Sequence, residues 1–345
     1  MTTGFENGPI RVGLIRCDMH GAYYGALFAE HDALALQRPA EPGEKTHYSW
    51  ETGGAHFYFY TNYASPEQMT VEFVDGFRLT KVWDEHRTAA ERLARVCKGP
   101  VTICDQFEEI SDDVDLIFIS DCNGDGSDHL ELARPGLEQG IATFIDKPMA
   151  NTYPDVQALV SLADSNSAPL ASVSMLSMAP AAGRFAAQLA TVSPAVEFGT
   201  VQGGGPSMAG QIHTVALALR LFGDGVESVS ASGPGPLHTM HLSWGDRSQR
   251  PAQGVTLSTD VGFVWHCAFH ASGYGPAGAV HSPPIGDFDF PFGAAEILKQ
   301  VREMVRSGQS PAGNAAMIES VAVIEAARRA QTEFRSVPIT EITGG

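Results

Sequence analysis

The chain has 345 residues, a hydrophobic share of 43% and a formal net charge of −18 at pH 7. This length is enough for two domains, each with its own hydrophobic core. A net charge of this sign repels nucleic-acid phosphates and anionic lipids, so we expect neither nucleic acid nor a membrane as a partner.

The cysteines favour a reducing compartment. They number five, and no two of them form a C-x-x-C pair, so the sequence predicts neither a disulfide framework nor a metal site. The first residues lack the basic patch and apolar run of a signal peptide. No stretch of about 18 apolar residues occurs. We therefore expect a cytoplasmic protein.

The first half of the chain alternates strands with helices. Strands are predicted over residues 10–15, 78–84, 114–120 and 142–145, and helices over residues 88–98 and about 130–140. This order predicts a Rossmann-type, doubly wound parallel sheet over residues 1–150, an α/β fold. Residues 38–77, rich in glycine, proline and aromatic residues, are predicted to be an insertion.

The pattern changes after about residue 150. Helices are predicted over residues 152–163, 212–222, 293–307 and 314–333, and residues 255–269 alternate like a strand. The sequence therefore predicts a second, α+β domain over residues 151–345, with an antiparallel sheet and helices on one face.

The first strand leads into a turn that a dinucleotide pyrophosphate would occupy. The usual G-x-G-x-x-G frame is filled here by Arg16, Cys17, Asp18, Met19, His20 and Gly21. Only the last glycine of the frame is present. Asp18 would repel a phosphate and Arg16 could offset it. One interpretation is an altered cofactor turn, and the other is an ordinary βα turn that has lost its cofactor.

Asp84 ends the second predicted strand, where an acid bonds the ribose hydroxyls and disfavours a 2′-phosphate. This position favours NAD over NADP. The usual spacing of about 20 residues from the turn holds only if residues 38–77 are an insertion. The alternative is a surface acid that precedes a helix.

Several motifs together resemble the Gfo/Idh/MocA family, which groups glucose–fructose oxidoreductase, inositol dehydrogenase and their relatives. They are the strand and turn from Asp115 to Asn123, then His129, then Asp146-Lys147-Pro148 where the family has E-K-P. In the second half, Gly203-Gly204-Gly205 followed by His213 resembles the family's glycine-rich turn and catalytic histidine.

The resemblance implies a Rossmann domain with NAD, and a second domain with a largely antiparallel open sheet. That second domain would bind the substrate and make a homo-oligomer, a dimer or a tetramer. The implied catalytic residues are Lys147 and His213, and the family's aspartate falls on Ala209. Besides the turn and Asp84, the implied cofactor-binding residues are Cys122, Asn123, Asp146 and Lys147.

The chemistry needs a base for a hydroxyl proton and a cation beside the developing alkoxide. We expect His213 to open a helix whose dipole lowers its pKa and keeps it neutral. Lys147 would stabilise the alkoxide. The alternatives are a packed histidine at a helix start and a structural lysine at a strand end.

These features predict an NAD-dependent oxidoreductase of carbohydrate metabolism. It would move hydride between nicotinamide and a sugar, a cyclitol or a related polyol or keto-sugar. Two alternatives stay open at this point. One is a noncatalytic sugar-binding or partner subunit, and the other is an NAD-dependent lyase or glycosidase that uses transient oxidation.

Overall fold

The computed structural model describes residues 8–344 apart from 38–53, 63, 193–195, 236, 247 and 260–267. Part of the predicted insertion and the middle of the predicted strand over residues 255–269 lie outside the described residues.

The first sheet contains only parallel strands. They are β1 (Ile10–Ile15), β2 (Phe77–Trp83), β3 (Thr102–Ile103), β4 (Leu116–Ile119), β5 (Ala142–Ile145) and β6 (Leu170–Ala171). Their order across the sheet is β3-β2-β1-β4-β5-β6, the order of a doubly wound dinucleotide-binding sheet. Every residue of β4 and β5 is buried because helices cover both faces. The predicted boundary at residue 150 stays a prediction, and β6 adds a strand after it.

In the described part of the chain, six helices accompany this sheet. They are α1 (Met19–Phe28), α2 (Ala33–Gln37), α3 (Gly54–Phe59), α4 (Arg87–Val96), α5 (His129–Glu138) and α6 (Tyr153–Ser165). Helix α3 lies within the predicted insertion, and its Phe59 ring packs 4.6 Å from the Tyr23 ring of α1. This contact brings part of residues 38–77 next to the helix that follows the first strand.

The second sheet is largely antiparallel. Its strands are β7 (Phe198–Gln202), β8 (Ser228–Ser232), β9 (Thr239–Ser243), β10 (Val255–Ser258), β11 (Ala268–Gly275), β12 (Gly278–His281), β13 (Ile285–Gly286) and β14 (Val337–Pro338). The order is β12-β11-β7-β10-β9-β8-β14, with β13 paired to β11. Among the described pairs of this sheet, only β7 and β10 run parallel. The predicted fold class is confirmed.

The remaining described helices follow β6 in the chain. They are α7 (Met175–Met178), α8 (Pro180–Leu189), α9 (Met208–Phe222), α10 (Phe290–Ser307), α11 (Asn314–Glu333) and α12 (Thr340–Thr343). Helix α9 packs between the second sheet and α11, whereas α10 packs on both α1 and α7. No helix in the described parts of the chain is long and apolar enough to cross a membrane.

Helix α10 approaches the α7 segment so closely that Gly293 has no room for a side chain. A Cβ at Gly293 would clash with the backbone carbonyl oxygen of Met175. At Gly183 in α8, a Cβ would meet only the Arg220 guanidinium, at 3.7 Å. Both glycines lie within helices, where alanine is the better helix former by about 1 kcal/mol.

We expect Gly293→Ala to lower the free energy of unfolding by about 1–3 kcal/mol, because backbone must move to admit the methyl group. The matched control, Gly183→Ala, should raise it by up to about 1 kcal/mol. Urea unfolding followed by circular dichroism measures both. A Gly293→Ala chain as stable as the parent would show that α10 and α7 are not packed this closely.

Candidate functional site

A cavity of about 450 Å³ lies between the carboxyl ends of the first sheet and helix α9. Its volume is in the range of small-molecule sites, and its position at the carboxyl edge is where open α/β sheets bind ligands. Six of the predicted site residues line it, namely Met19, His20, Cys122, Asn123, Lys147 and His213. Lys147 from the first half of the chain and His213 from the second therefore face one space.

Lys147 follows β5 and is almost fully buried, with 1% of its surface exposed. Its Nζ donates a hydrogen bond of 2.7 Å to the backbone carbonyl of Cys122, which follows β4. An ammonium has three N–H groups, so this bond fixes the position of the cation and leaves other donors for a ligand.

His213 lies inside α9 and not at its start. The helix begins at Met208 with Ser207 as its N-cap, so the prediction that His213 opens a helix is wrong. Helix α9 begins four residues before the predicted start at residue 212, so the segment between Gly203-Gly204-Gly205 and the helix is shorter than predicted. Met208, its first residue, is already buried. The pKa of His213 is nevertheless lowered well below its usual value, first by burial and then by the charges of Lys147 and His20.

The partner of His213 is Ser174, which the sequence analysis missed. Ser174 Oγ lies 2.7 Å from His213 Nδ1, and both residues are buried. On one face, the imidazole stacks on Phe290 with ring centroids 5.4 Å apart. Ala209, where the family has an aspartate, lines the same cavity and offers no acceptor. No motif marks Ser174, since it lies 39 residues from His213 in a connection between β6 and α7.

His20 is the second histidine of the cavity, and its charge state differs from that of His213. Its Nδ1 lies 2.5 Å from Asp146 Oδ2, and Asp146 is fully buried. Burial alone would lower the pKa of His20, but Cys122 and Asp146 outweigh that effect and raise it to about 10. At neutral pH the cavity therefore holds a charged His20 beside a neutral His213.

The first turn keeps a dinucleotide-type shape with different side chains. Arg16 has a φ of +68°, a conformation that glycine usually supplies. Gly21 remains necessary, because a Cβ there would clash with the carbonyl oxygen of Arg16. Asp18 caps α1, and its buried carboxylate accepts hydrogen bonds from the backbone of Gly21 (2.7 Å) and Cys122 (2.6 Å). The Asp18 carboxylate thus accepts hydrogen bonds from backbone N–H groups at the place where a phosphate would bind.

Arg16 and Asp84 lie outside the cavity lining. The Arg16 guanidinium pairs with Asp121 (3.0 Å), Glu85 (3.1 Å) and Asp128. This Arg16 bridge joins the loop after β2 to the loop after β4. Asp84 accepts hydrogen bonds of 2.7 Å from the backbone N–H groups of Cys17 and His86. Both carboxylate oxygens of Asp84 therefore hold loops at the edge where a ribose would approach.

One cluster of side chains at this edge has the residue types that could bind a metal ion. Asp121, Asp128 and His129 place one ligand atom each within 4.8 Å of the others. The guanidinium of Arg16 already binds both of these aspartates. A protein cation therefore takes the place of a metal in this group.

The two ends of the cavity edge fit NAD differently. Beside Lys147 and His213, the start of α1 contributes Met19 and the cation of His20, which suit a nicotinamide and its phosphate. At the adenosine end, the Arg16 bridge crosses the edge of the sheet. The residues that line the cavity fit the nicotinamide half of NAD as they stand, whereas at the adenosine end Arg16 and Asp84 are already bound by protein groups.

Comparison with known proteins agrees with the sequence motifs. Residues 57–174 match the sequence model of the Gfo/Idh/MocA family, described as an oxidoreductase family with an NAD-binding Rossmann fold. No curated protein matches the chain.

Several solved structures share the fold along nearly the whole chain. A putative myo-inositol dehydrogenase from Sinorhizobium meliloti is 18% identical with a TM-score of 0.67, covering 96% of this chain and 99% of its own. The Lactobacillus casei myo-inositol dehydrogenase, solved with NAD(H) and myo-inositol, is 15% identical with a TM-score of 0.68, covering 96% of each chain. An oxidoreductase from Agrobacterium radiobacter, solved with NAD⁺, L-tartaric acid and magnesium, is 14% identical with a TM-score of 0.63, covering 96% and 99%.

At these identities the likeness shows the fold alone, while the sequence match includes Asp84 and the motifs from Asp115 to Pro148. The resemblance seen in the sequence is confirmed. Residues 57–174 thus carry the sequence pattern of the Gfo/Idh/MocA oxidoreductases, a family with an NAD-binding Rossmann fold.

Proposed function

We propose that this protein moves hydride between NAD and a carbon of a sugar, a cyclitol or a related polyol or keto-sugar. The observation that carries the proposal is that Lys147 and His213 line one cavity at the carboxyl edge of the first sheet. The family is one of oxidoreductases, and a relative of the same fold was solved with myo-inositol. Both facts support a polyhydroxylated substrate.

His213 is the proton acceptor in this proposal. Its lowered pKa keeps the imidazole neutral, as a base must be. When Nδ1–H donates to Ser174 Oγ, the lone pair of Nε2 is available to a substrate hydroxyl. Ser174 thus does part of what the family's aspartate does, because it fixes the orientation of the imidazole.

Lys147 stabilises the oxygen that loses the proton. Its ammonium is held by the Cys122 carbonyl and faces the cavity, where a buried cation interacts strongly with a developing alkoxide. Asp287 also lines the cavity, and its carboxylate can accept a hydrogen bond from a second substrate hydroxyl. A polyol would therefore meet both a cation and an acceptor.

NAD, when bound, supplies the hydride acceptor or donor. The residues that would hold it are Met19, His20, Cys122 and Asn123 along the cavity, with Asp84 toward the ribose of the adenosine. The other residues of the first turn, Arg16, Cys17, Asp18 and Gly21, would shape the turn, and Asp146 would act through His20 and Lys147.

A second candidate function rests on the Arg16 bridge. If the ion pairs to Glu85, Asp121 and Asp128 stay closed, the protein would be a noncatalytic sugar-binding or partner subunit. Titration with NADH separates the two candidates. Saturable binding in the micromolar range with turnover of some polyol supports the oxidoreductase, and its absence supports the noncatalytic subunit.

Replacing His213 should abolish most of the turnover. Once a substrate is found by nicotinamide absorbance over a polyol and keto-sugar panel, we expect His213→Ala to lower kcat by about 10²-fold or more. Ser174→Ala should lower it by about fivefold to tenfold, since it removes one hydrogen bond. His270→Ala, at an exposed position of β11 outside the cavity lining, is the control. Unchanged turnover in His213→Ala would refute the proposed base.

The pH dependence should report the environment of His213. Because burial, Lys147 and His20 lower its pKa, the neutral form persists as the pH falls below the usual histidine value of 6.5. The acid limb of a kcat/KM profile should therefore lie below pH 6.5. A profile that has already lost half its maximum at or above that pH contradicts a neutral, buried His213.

Restoring glycine at position 16 tests the Arg16 bridge. We expect Arg16→Gly to bind NADH more tightly, by about tenfold, because the three ion pairs no longer compete with the dinucleotide. Glycine also suits the positive φ. NADH fluorescence titration measures the affinity, and Arg11→Gly, which removes an ion-paired arginine at the other end of β1, is the control. Weaker binding in Arg16→Gly would show that Arg16 itself contacts the phosphates.

A further inference from the structure

A hydrogen bond at the cavity joins the predicted insertion to the second half of the chain. The hydroxyl of Tyr58, in α3, donates to Asp287 Oδ2 at 3.2 Å, and the two residues are 229 positions apart in the sequence. Both residues line the cavity that Lys147 and His213 also line. The proposed hydride transfer uses Asp287 and gives Tyr58 no role.

Tyr58 is held in place by the packing of α3. The next residue, Phe59, is fully buried, and its ring centroid lies 4.6 Å from that of Tyr23 in α1. The ring centroid of Tyr58 lies 6.2 Å from that of Tyr23 and 5.5 Å from that of Phe288. Burial of Phe59 therefore holds α3 against α1, while Tyr58 contacts the segment that carries Asp287.

Asp287 lies in a tight turn that also contacts His213. The turn follows β13, where the Gly286 N–H donates to Asp289 Oδ2 (3.1 Å) and the Gly286 carbonyl accepts from the Asp289 N–H (2.7 Å). The next residue, Phe290, stacks on the His213 imidazole. One short, hydrogen-bonded segment thus carries both Asp287 at the cavity and the ring that packs on the proposed base.

A carboxylate held in this way suits a substrate hydroxyl. A carboxylate has sites for several hydrogen bonds, so the bond from Tyr58 leaves Asp287 able to accept another. The same bond restricts rotation of the carboxylate and so lowers the entropy that is lost when a ligand binds. A ligand without the matching hydroxyl leaves such an acceptor unpaired, which is how sites built for hydroxyl groups discriminate strongly.

We propose that Tyr58 is a specificity-determining residue. Its hydroxyl orients the Asp287 carboxylate, which then accepts a hydrogen bond from a substrate hydroxyl other than the one beside Lys147 and His213. The site thereby selects polyhydroxylated molecules over alcohols with one hydroxyl. The polyhydroxylated substrate rests on the proposed function, but the selection acts in binding and needs no hydride transfer.

Calorimetric titration with myo-inositol, the compound bound in a solved structure of this fold, tests the pair without NAD. We expect Tyr58→Phe and Asp287→Asn each to weaken binding by about fivefold to tenfold, since each weakens one hydrogen bond to the ligand. Tyr60→Phe is the matched control, because the Tyr60 hydroxyl lies 2.6 Å from His31 Nε2, outside the cavity lining. No binding of myo-inositol, or equal affinity in Tyr58→Phe and the unaltered protein, overturns the proposal.

The double variant with both Tyr58→Phe and Asp287→Asn tests whether Tyr58 acts through Asp287. Two residues that act through one contact give non-additive effects. We therefore expect the double variant to bind myo-inositol within about twofold of Asp287→Asn alone. Effects of the two substitutions that multiply would show that Tyr58 acts independently of Asp287, contrary to the proposal.

Cyclohexanol separates selection from a general loss of structure, because it has the six-membered carbon ring of myo-inositol with a single hydroxyl. Saturation-transfer difference NMR detects weak binding of both compounds. We expect the unaltered protein to bind cyclohexanol about tenfold more weakly or worse than myo-inositol, and Tyr58→Phe to narrow this difference. Equal affinity for both compounds in the unaltered protein, or an equal loss for both in Tyr58→Phe, contradicts a role in selection.

Kinetics separate this proposal from the proposed hydride transfer. With a polyol that turns over, Tyr58→Phe should raise KM by about the factor by which it weakens binding and leave kcat within about twofold. Binding with the expected losses but without turnover would refute the hydride transfer and support the role of Tyr58. Turnover with an unchanged KM in Tyr58→Phe would refute the role of Tyr58 and support the hydride transfer.

Discussion

The buried carboxylate of Asp146 is the constraint on which the site depends. One oxygen accepts from His20 of α1 (2.5 Å) and from the backbone N–H of Asp121 after β4 (3.2 Å), and the other accepts from the backbone N–H of Lys147 (2.8 Å). Removing such a carboxylate would leave a buried cation without its partner, which costs several kcal/mol. Through this one carboxylate, Asp146 at the end of β5 therefore holds α1, the end of β4 and Lys147 in place.

This constraint separates the protonation states of the two cavity histidines. His20 has a carboxylate partner and a raised pKa, whereas His213 has only a serine hydroxyl and a lowered one. Both are buried, and their pKa values differ because Cys122 and Asp146 lie beside His20, whereas the charges of Lys147 and His20 act on His213. One cavity consequently offers a cation, a neutral base and an ammonium at the same pH, a combination that acid–base chemistry on a hydroxyl or carbonyl group requires.

The sequence predicted the architecture because its strands and helices carry strong periodic patterns, and because Asp146-Lys147-Pro148 and the three glycines before His213 are local motifs. It could not predict Ser174, whose contact with His213 depends on how the α7 segment packs against α9. The conformation of the first turn could not be predicted from the sequence either. Arg16 at positive φ and Asp18 as the cap of α1 depend on partners more than 60 residues away. The start of α9 was predicted four residues late because Met208 and its neighbours look like a turn.

We expect the cavity beside Lys147 and His213 to receive a nicotinamide ring. Saturation-transfer difference NMR with NADH tests it directly, because it reports which ligand protons contact the protein. We expect stronger saturation of the nicotinamide protons than of the adenine protons, since Arg16 is already paired with Glu85, Asp121 and Asp128. Saturation confined to the adenine protons, or none at all, would contradict it.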